Sequence, residues 1–263
     1  MDRILHNSAK PSHYNKEAKF YDENNEQNSK PINQIVEHIL KKHGVKSVFD
    51  LTCGTGSQVV WLAKRKYEVI GSDINLNMLR IAKKKSEQYK LKLKFLKGDM
   101  RTIQIGKFDA AITMHNAIGH LTKFDFEKAI KNIYNNLNIN GLYIFDIDDL
   151  DYLNKSNNIS KLTIDWQEIV GNTKIRTIQY STVSQEGILV SYTTQYVQKR
   201  STVPELYKTR QTLQIYTAQQ LKNLLHKNGF RVLNQCALGK FRIYGSKIDK
   251  SQANRILTIA KKC

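Results

Sequence analysis

No stretch of 18 apolar residues occurs in this 263-residue chain, so no segment is long enough to cross a bilayer as a helix. The first 25 residues lack the apolar core of a secretory signal. Cysteine is scarce: Cys53, Cys236 and Cys263 are scattered and odd in number, which excludes a disulfide framework and any metal-type spacing. These absences predict a reducing, cytoplasmic setting, with no membrane contact and no metal. No internal repeat is present, and nothing is of low complexity beyond a polar N-terminus. Acidic residues are also short, 23 against 42 Lys and Arg, for a net charge of +19. Such an excess fits attraction to nucleic acid. It also fits a compositional bias, since Lys, Asn and Ile are abundant together while Gly and Pro are few. The spread of the lysines favours the bias: KKH (41–43), KRK (64–66), KKK (83–85) and KLKLKFLK (90–97) fall on different elements. What is plentiful is apolar: 40% of residues, enough for a core and for one large domain or a domain with a sizeable insertion.

Residues 1–30 read as a polar N-terminal segment, to which the family resemblance given below assigns a lid; in it HYNKEAKFYD (13–22) can form a helix with Ala18 and Tyr21, or Tyr14 and Ala18, on one face. Pro31 suits the first turn of a helix, PINQIVEHILKKHG, whose Ile32, Ile35, Val36, Ile39 and Leu40 follow helical spacing and whose Gly44 is a stop. From residue 45 to about 150, strands and helices alternate: KSVFD, YEVIGSDI, LKLKFLKGD, KFDAAITMHN and GLYIFDID as strands, with helices between. Asn75 is a possible helix cap, and Asn140-Gly141 reads as the end of the helix FDFEKAIKNIYNNL. This alternation predicts a Rossmann-like, doubly wound α/β sheet, mostly parallel, with its strand-end loops along one carboxyl edge. Residues 156–216 instead alternate apolar and polar residues between turn signals at Gly171-Asn172 and Glu186-Gly187. They predict an antiparallel β insertion of three or four strands after strand five, covering the pocket or forming a homodimer face. Thr217 is then a helix cap with Gln220 in capping-box position, Asn228-Gly229 closes that helix, and two last strands follow, the final one antiparallel. The main domain thus comprises 31–155 and 217–263.

The chemistry lies at the strand ends. Asp50 closes strand one and Cys53-Gly54-Thr55-Gly56 follows; glycine lets the backbone approach a ligand, and the next helix offers unpaired amides. Asp73 closes strand two, where a carboxylate can accept both hydroxyls of a ribose. Asp99 closes strand three, followed by Met100. A nicotinamide dinucleotide would call for a third glycine where Val59 stands.

VFDLTCGTG (48–56) resembles motif I of class I S-adenosylmethionine-dependent methyltransferases, with Thr52 in place of the usual glycine or alanine. SDIN with Asp73 is similar to that family's ribose-binding strand end, Met78 to its S-x-x-M-L methionine, KGDMRTI to its third motif, and FDAAITMHNAIGHL to strand four and the loop beneath the methyl group. The resemblance spans about residues 14–150, and 217–262 more loosely. It implies S-adenosyl-L-methionine as cofactor. Gly54 and Gly56 would pass its methionine part, with Cys53 in the same turn, and Asp50 would hold its ammonium. Asp73 would take the ribose, Ile74 and Met78 would pack on adenine, Asp99 would bond the adenine amine, and Met100 would lie near the ring. His115, in the loop after strand four, joins the cofactor set.

No N-P-P-Y or D-P-P-Y follows strand four, which disfavours exocyclic base amines, and no cysteine lies at the ends of strands four or five, which disfavours cytosine C5. The NAIGHL loop, the HYNKEAKFYD segment and the insertion are together similar to small-molecule N-methyltransferases, of the aminosugar type above all. That likeness implies His120 as the proton-handling residue, with Tyr14 and Tyr21 as lid residues near the sulfonium. Arg176, Arg200 and Arg210 would suit an anionic acceptor; the run Asp146, Asp148, Asp149, Asp151 just past strand five would suit a cationic amine. The expected partner is a small-molecule acceptor, with nucleic acid less favoured. An RNA methyltransferase and a non-catalytic cofactor-binding module are the competing readings.

Overall fold

The computed structural model describes residues 4–15, 18, 21–155, 158–199, 202–239 and 253–263. The chain divides into two compact units, one of Ser8–Asp148 with Ala218–Cys263, the other of Asp149–Thr217 with the first residues up to Asn7.

The larger unit holds a seven-stranded sheet. Its strands are β1 (Ser47–Asp50), β2 (Glu68–Asp73), β3 (Lys94–Lys97), β4 (Phe108–Thr113), β5 (Leu137–Asp148), β10 (Phe230–Gly239) and β11 (Ala253–Lys262), in the order β10-β11-β5-β4-β1-β2-β3. The pairings among β1 to β5 are parallel, and β11 runs antiparallel to both β5 and β10. Its central strands are apolar on both faces, as a covered parallel sheet requires: Val48, Phe49, Ala110, Ala111 and Ile112 are fully buried. The helices are α1 (Tyr21–Lys42), α2 (Ser57–Ala63), α3 (Leu76–Gln88), α4 (Lys123–Asn135) and α6 (Ala218–Lys227). Together these elements form the Rossmann-like fold that the alternation predicts.

Several boundaries differ from the sequence expectation. The helix expected from Pro31 begins ten residues earlier, at Tyr21, and runs through Pro31. Its apolar stripe, Ile32, Val36, Ile39 and Leu40, is buried as expected, and Gly44 with φ +66° follows its end. HYNKEAKFYD is therefore not one helix. Residues 11–15 form turns, Ala18 bonds back to the Tyr14 carbonyl, α1 starts at Tyr21, and residues 16, 17, 19 and 20 lie outside the described residues. Helix α4 ends at Asn135, so Asn140-Gly141 does not close it. Those two residues lie inside β5, where the register against β4 shifts between the pairs Phe108–Leu137 and Ala110–Leu142. Asp146 and Asp148 belong to β5 and are buried, not part of a solvated loop past it.

Three local devices shape the carboxyl edge. Gly56 has φ +80° at the start of α2, and a Cβ there would sit 2.9 Å from that of Ala82, so the turn demands glycine. Asn75 caps α3, its Oδ1 accepting from the amides of Asn77 (2.8 Å) and Met78 (3.0 Å). The same side chain donates through Nδ2 to Pro11 O and to Asn15 Oδ1, both at 2.9 Å, and so ties the N-terminal segment to α3. Met78 on this helix is buried against the core.

The smaller unit is a four-stranded antiparallel sheet in the order β6-β7-β8-β9, of Ile164–Val170, Thr173–Val183, Ile188–Lys199 and Glu205–Gln214, with a short helix α5 at Leu150–Asn154. Its own core gathers Leu150, Leu153, Leu189 and Ile215. Gly171 and Gly187 stand at the first two turns with positive φ. Arg176 is engaged by Asp165 at 2.8 and 3.0 Å, and Arg200 lies outside the described residues. Helix α6 starts directly after Thr217 and ends before Asn228-Gly229.

Asn75→Ala removes the cap and the tether together. The expected outcome is a loss of ~1 kcal/mol of unfolding free energy in denaturant titration, with faster proteolytic cleavage within residues 8–15. Unchanged stability would contradict the capping role.

Candidate active site

At the carboxyl edge of the parallel sheet lies a cavity, lined by every cofactor-binding and catalytic residue anticipated from the sequence except Gly56; the acceptor candidates Arg176, Arg210, Asp146, Asp148, Asp149 and Asp151 are not among its lining residues. Gly56 instead packs beneath it, against Ala82 and Phe95. Gly54 lines the cavity with φ +52°, and a Cβ placed on it would meet nothing within 4 Å, which leaves its backbone open to a ligand.

Asp50 ends β1 and is buried. Among the described residues its carboxylate accepts one hydrogen bond, from the Thr52 amide at 3.1 Å. Burial pushes its pKa up to about 7, the Thr52 bond opposing and the Asp73 charge adding to the rise. Asp73 ends β2 and joins two turns, accepting from the Gly54 amide at 2.9 Å and the Asn75 amide at 2.8 Å. Burial raises its pKa too, against the pull of those amides. Ile74 is half-buried beside it. The Cys53 thiol is buried and pushed well up by that burial, so it is not poised as a nucleophile.

Asp99 follows β3. Burial works to raise its carboxyl, but Arg101 outweighs it: the guanidinium grips both oxygens at 2.5 to 3.0 Å and holds the acid below the usual carboxylate range. Arg101 also reaches Asp125 at 2.6 Å, and Asp125 accepts from Ser8 Oγ at 2.6 Å. Met100, next in the chain, is half-buried, and its carbonyl accepts from Asn132 at 3.0 Å. Arg101 was not anticipated from the sequence. The Asp-x-Arg spacing could have suggested it, but its second partner lies 24 residues away on α4.

Across the cavity, a short 3-10 turn at Ala117–His120 carries His120. Its Nε2 lies 2.7 Å from the Tyr14 hydroxyl, and the two rings meet edge to face with centroids 5.5 Å apart. The His120 carbonyl accepts from the Ala9 amide at 2.8 Å, so the N-terminal segment is held at both ends of this contact. Tyr21, in the first turn of α1, packs edge to face on Tyr14 at 6.0 Å. Burial first, then the charges of Asp73, Asp22 and Asp146, keep its phenol protonated. His115 has φ +63°, and burial lowers its pKa, so it is neutral at pH 7. Behind it Arg255 pairs with the buried Asp146 at 2.5 Å.

A second unanticipated cluster braces the glycine turn. Asp22 accepts from Thr55 Oγ1 at 2.6 Å and pairs with Lys85 Nζ at 2.9 Å, joining α1, the turn and α3. No sequence signal links residues 22, 55 and 85. Among the described residues, no group of three or more His, Cys, Asp or Glu is placed to hold a metal ion, and no helix is long and apolar enough to cross a membrane.

Residues 48–141 match the sequence model of a methyltransferase domain. A glycine/sarcosine N-methyltransferase of Parasynechococcus marenigrum (strain WH8102) is 34% identical over 119 residues, 44% of this chain and 42% of that protein. The chain spans about half the length of the curated relatives it matches. S-adenosylmethionine-bound CalS10, an amino pentose methyltransferase from Micromonospora echinaspora, superposes with a TM-score of 0.72 over 100% of both chains at 15% identity. A methyltransferase from Clostridium acetobutylicum ATCC 824 that depends on the same cofactor gives 0.71 over 95% of this chain and 98% of its own, at 18% identity. Such structural likenesses establish the fold. Residues 48–141 are thus similar to a methyltransferase domain, on a fold shared with S-adenosylmethionine-dependent methyltransferases.

Proposed function

We propose that the chain transfers a methyl group from S-adenosylmethionine to an amine nitrogen of a small molecule. The observation that carries this reading is the Tyr14–His120 hydrogen bond on the wall of the cavity that also collects the strand-end acids. The named functions of the glycine/sarcosine and amino pentose enzymes point the same way.

The residues present fit the cofactor. Asp50 is a buried acid without a cation, and ionising it in the folded chain costs ~4 kcal/mol relative to water; an ammonium group placed beside it offsets that cost. Gly54 gives the open approach. Asp73 keeps lone pairs for two ribose hydroxyls after accepting from Gly54 and Asn75. Ile74, Met78 and Met100 supply apolar surface for adenine, and Asp99 would share its carboxylate between Arg101 and the adenine amine. When bound, the cofactor supplies an electrophilic methyl on a sulfonium.

What remains for the protein is alignment and proton removal. The acceptor amine must be neutral to attack. The Tyr14 hydroxyl, 2.7 Å from His120 Nε2, forms a two-step route. Its oxygen takes the amine proton as its own proton passes to the imidazole, leaving Tyr14 unchanged and His120 as the imidazolium. The half-exposed setting of His120 lets that proton leave to water.

Three measurements test the reading. His120→Ala is expected to lower the rate of methyl transfer by ~10²-fold or more while cofactor affinity stays within about threefold. The rate is measured on whichever amine of an acceptor screen, aminosugars first, turns over; an unchanged rate would sink the proton role. Asp73→Ala is expected to weaken cofactor binding severely in calorimetry, and near-normal affinity would remove the ribose assignment. The third is pH dependence. A proton and the cofactor's ammonium compete for Asp50, so affinity should fall as pH falls through about 7. Between pH 8 and pH 6 the expected loss is roughly tenfold, and Asp50→Asn should abolish that dependence. A flat profile in the unsubstituted protein contradicts the assignment.

A further inference from the structure

Some of the lysines that are scattered along the sequence line up in the fold. Each of four adjacent parallel strands has a lysine within the two residues before its start: Lys107 before β4, Lys46 before β1, Lys66 before β2 and Lys92 before β3. All four are exposed. Because the strands are neighbours in the order β4-β1-β2-β3, these lysines stand in a row along the amino edge of the sheet. Strands in a sheet lie ~4.8 Å apart, so the row spans roughly 14 Å. Lys90 and Lys94, both exposed, extend it at the β3 end. Among the described residues, no acidic side chain pairs with Lys46, Lys66, Lys92 or Lys107; the Lys107 ammonium bonds only the Asn135 carbonyl. The opposite, carboxyl edge of the same strands carries Asp50, Asp73 and Asp99. Two acids also stand at the amino edge, exposed Glu68 at the start of β2 and Asp109 in β4, whose carboxylate accepts from the Lys46 and Ser47 amides and from Asn138; the six lysines outnumber them there.

The cavity chemistry makes no use of this row. We propose that the amino edge of the parallel sheet is a docking surface for the phosphate backbone of single-stranded RNA, separate from the methyl-transfer site and independent of the acceptor used there. A line of unpaired cations at regular spacing complements a linear polyanion, and exposed lysines bind phosphates by releasing condensed counterions. A lipid surface would gain more from apolar side chains beside the cations. At this edge the neighbouring rings of Trp61 and Tyr89 are instead covered by Arg65 and Lys64, at 3.5 and 3.0 Å from their centroids.

The test compares two variants of equal net charge. One carries Lys46→Gln, Lys66→Gln, Lys92→Gln and Lys107→Gln. The other carries Lys83→Gln, Lys84→Gln, Lys131→Gln and Lys222→Gln, on helices α3, α4 and α6. Binding of a fluorescent, unstructured 20-nucleotide RNA is followed by anisotropy across a salt series, with circular dichroism and S-adenosylmethionine affinity as checks of folding. The unsubstituted protein should bind, with log affinity falling linearly in log salt. The edge variant should lose at least about tenfold in affinity, and its salt slope should shrink by about 3, or 0.7 for each of four phosphate contacts. The control variant should lose less than about threefold with little change in slope. Absence of RNA binding overturns the proposal. So does an equal loss in both variants, which would mean diffuse attraction to net charge. Binding to phosphatidylserine vesicles but not to RNA, lost only in the edge variant, overturns it in favour of a membrane surface.

Discussion

The carboxyl edge depends on one part-buried connection, the carboxylate of Asp73 between the amides of Gly54 and Asn75. Hydrogen bonds to a charged group contribute about 1.5–3 kcal/mol each and fix direction as well as distance. Through Gly54 the carboxylate holds the glycine turn after β1; through Asn75 it holds the start of α3. Asn75 then reaches Pro11 and Asn15, and so fixes the segment that brings Tyr14 to His120. The glycine turn and the Tyr14–His120 contact are thus two ends of one connected set of hydrogen bonds. A disturbance at Asp73 would therefore reach both.

The same edge concentrates carboxylates that are costly to bury. Asp50 and Asp73 are both pushed upward by desolvation, whereas Asp99 is held low by Arg101. The difference suits three different partners. In the proposed function the buried acid without a cation takes an ammonium group, the acid already accepting amides takes neutral hydroxyls, and the acid neutralised by arginine takes a neutral amine.

Much of this was legible in the sequence, because strand ends carry a strong signal. Apolar runs that stop at Asp50, Asp73 and Asp99, with glycines after the first, leave little freedom for where a ligand can lie. The Asn75 cap was legible for the same local reason. The helix start was not: Tyr21–Lys30 is polar almost throughout, so no apolar stripe marks it, and Pro31 imitates a first-turn residue although it sits inside α1. Asn140-Gly141 has turn composition, yet it serves an irregularity in β5, because α4 has already ended at Asn135. The contacts of Asp22 with Thr55 and Lys85, and of Arg101 with Asp125, join residues far apart in the chain and follow only from packing. The lysines of the amino edge teach the same lesson at larger scale. Their spacing in sequence looks diffuse, and only the strand order places them side by side.

The most direct test of the central claim is calorimetric titration of the unsubstituted protein with S-adenosylmethionine and with its demethylated product. Saturable binding of both ligands at one site, in the micromolar range, is what a cavity built from Asp50, Gly54, Asp73 and Asp99 predicts. Binding of neither would contradict the account, and would leave the strand-end acids as structural groups alone.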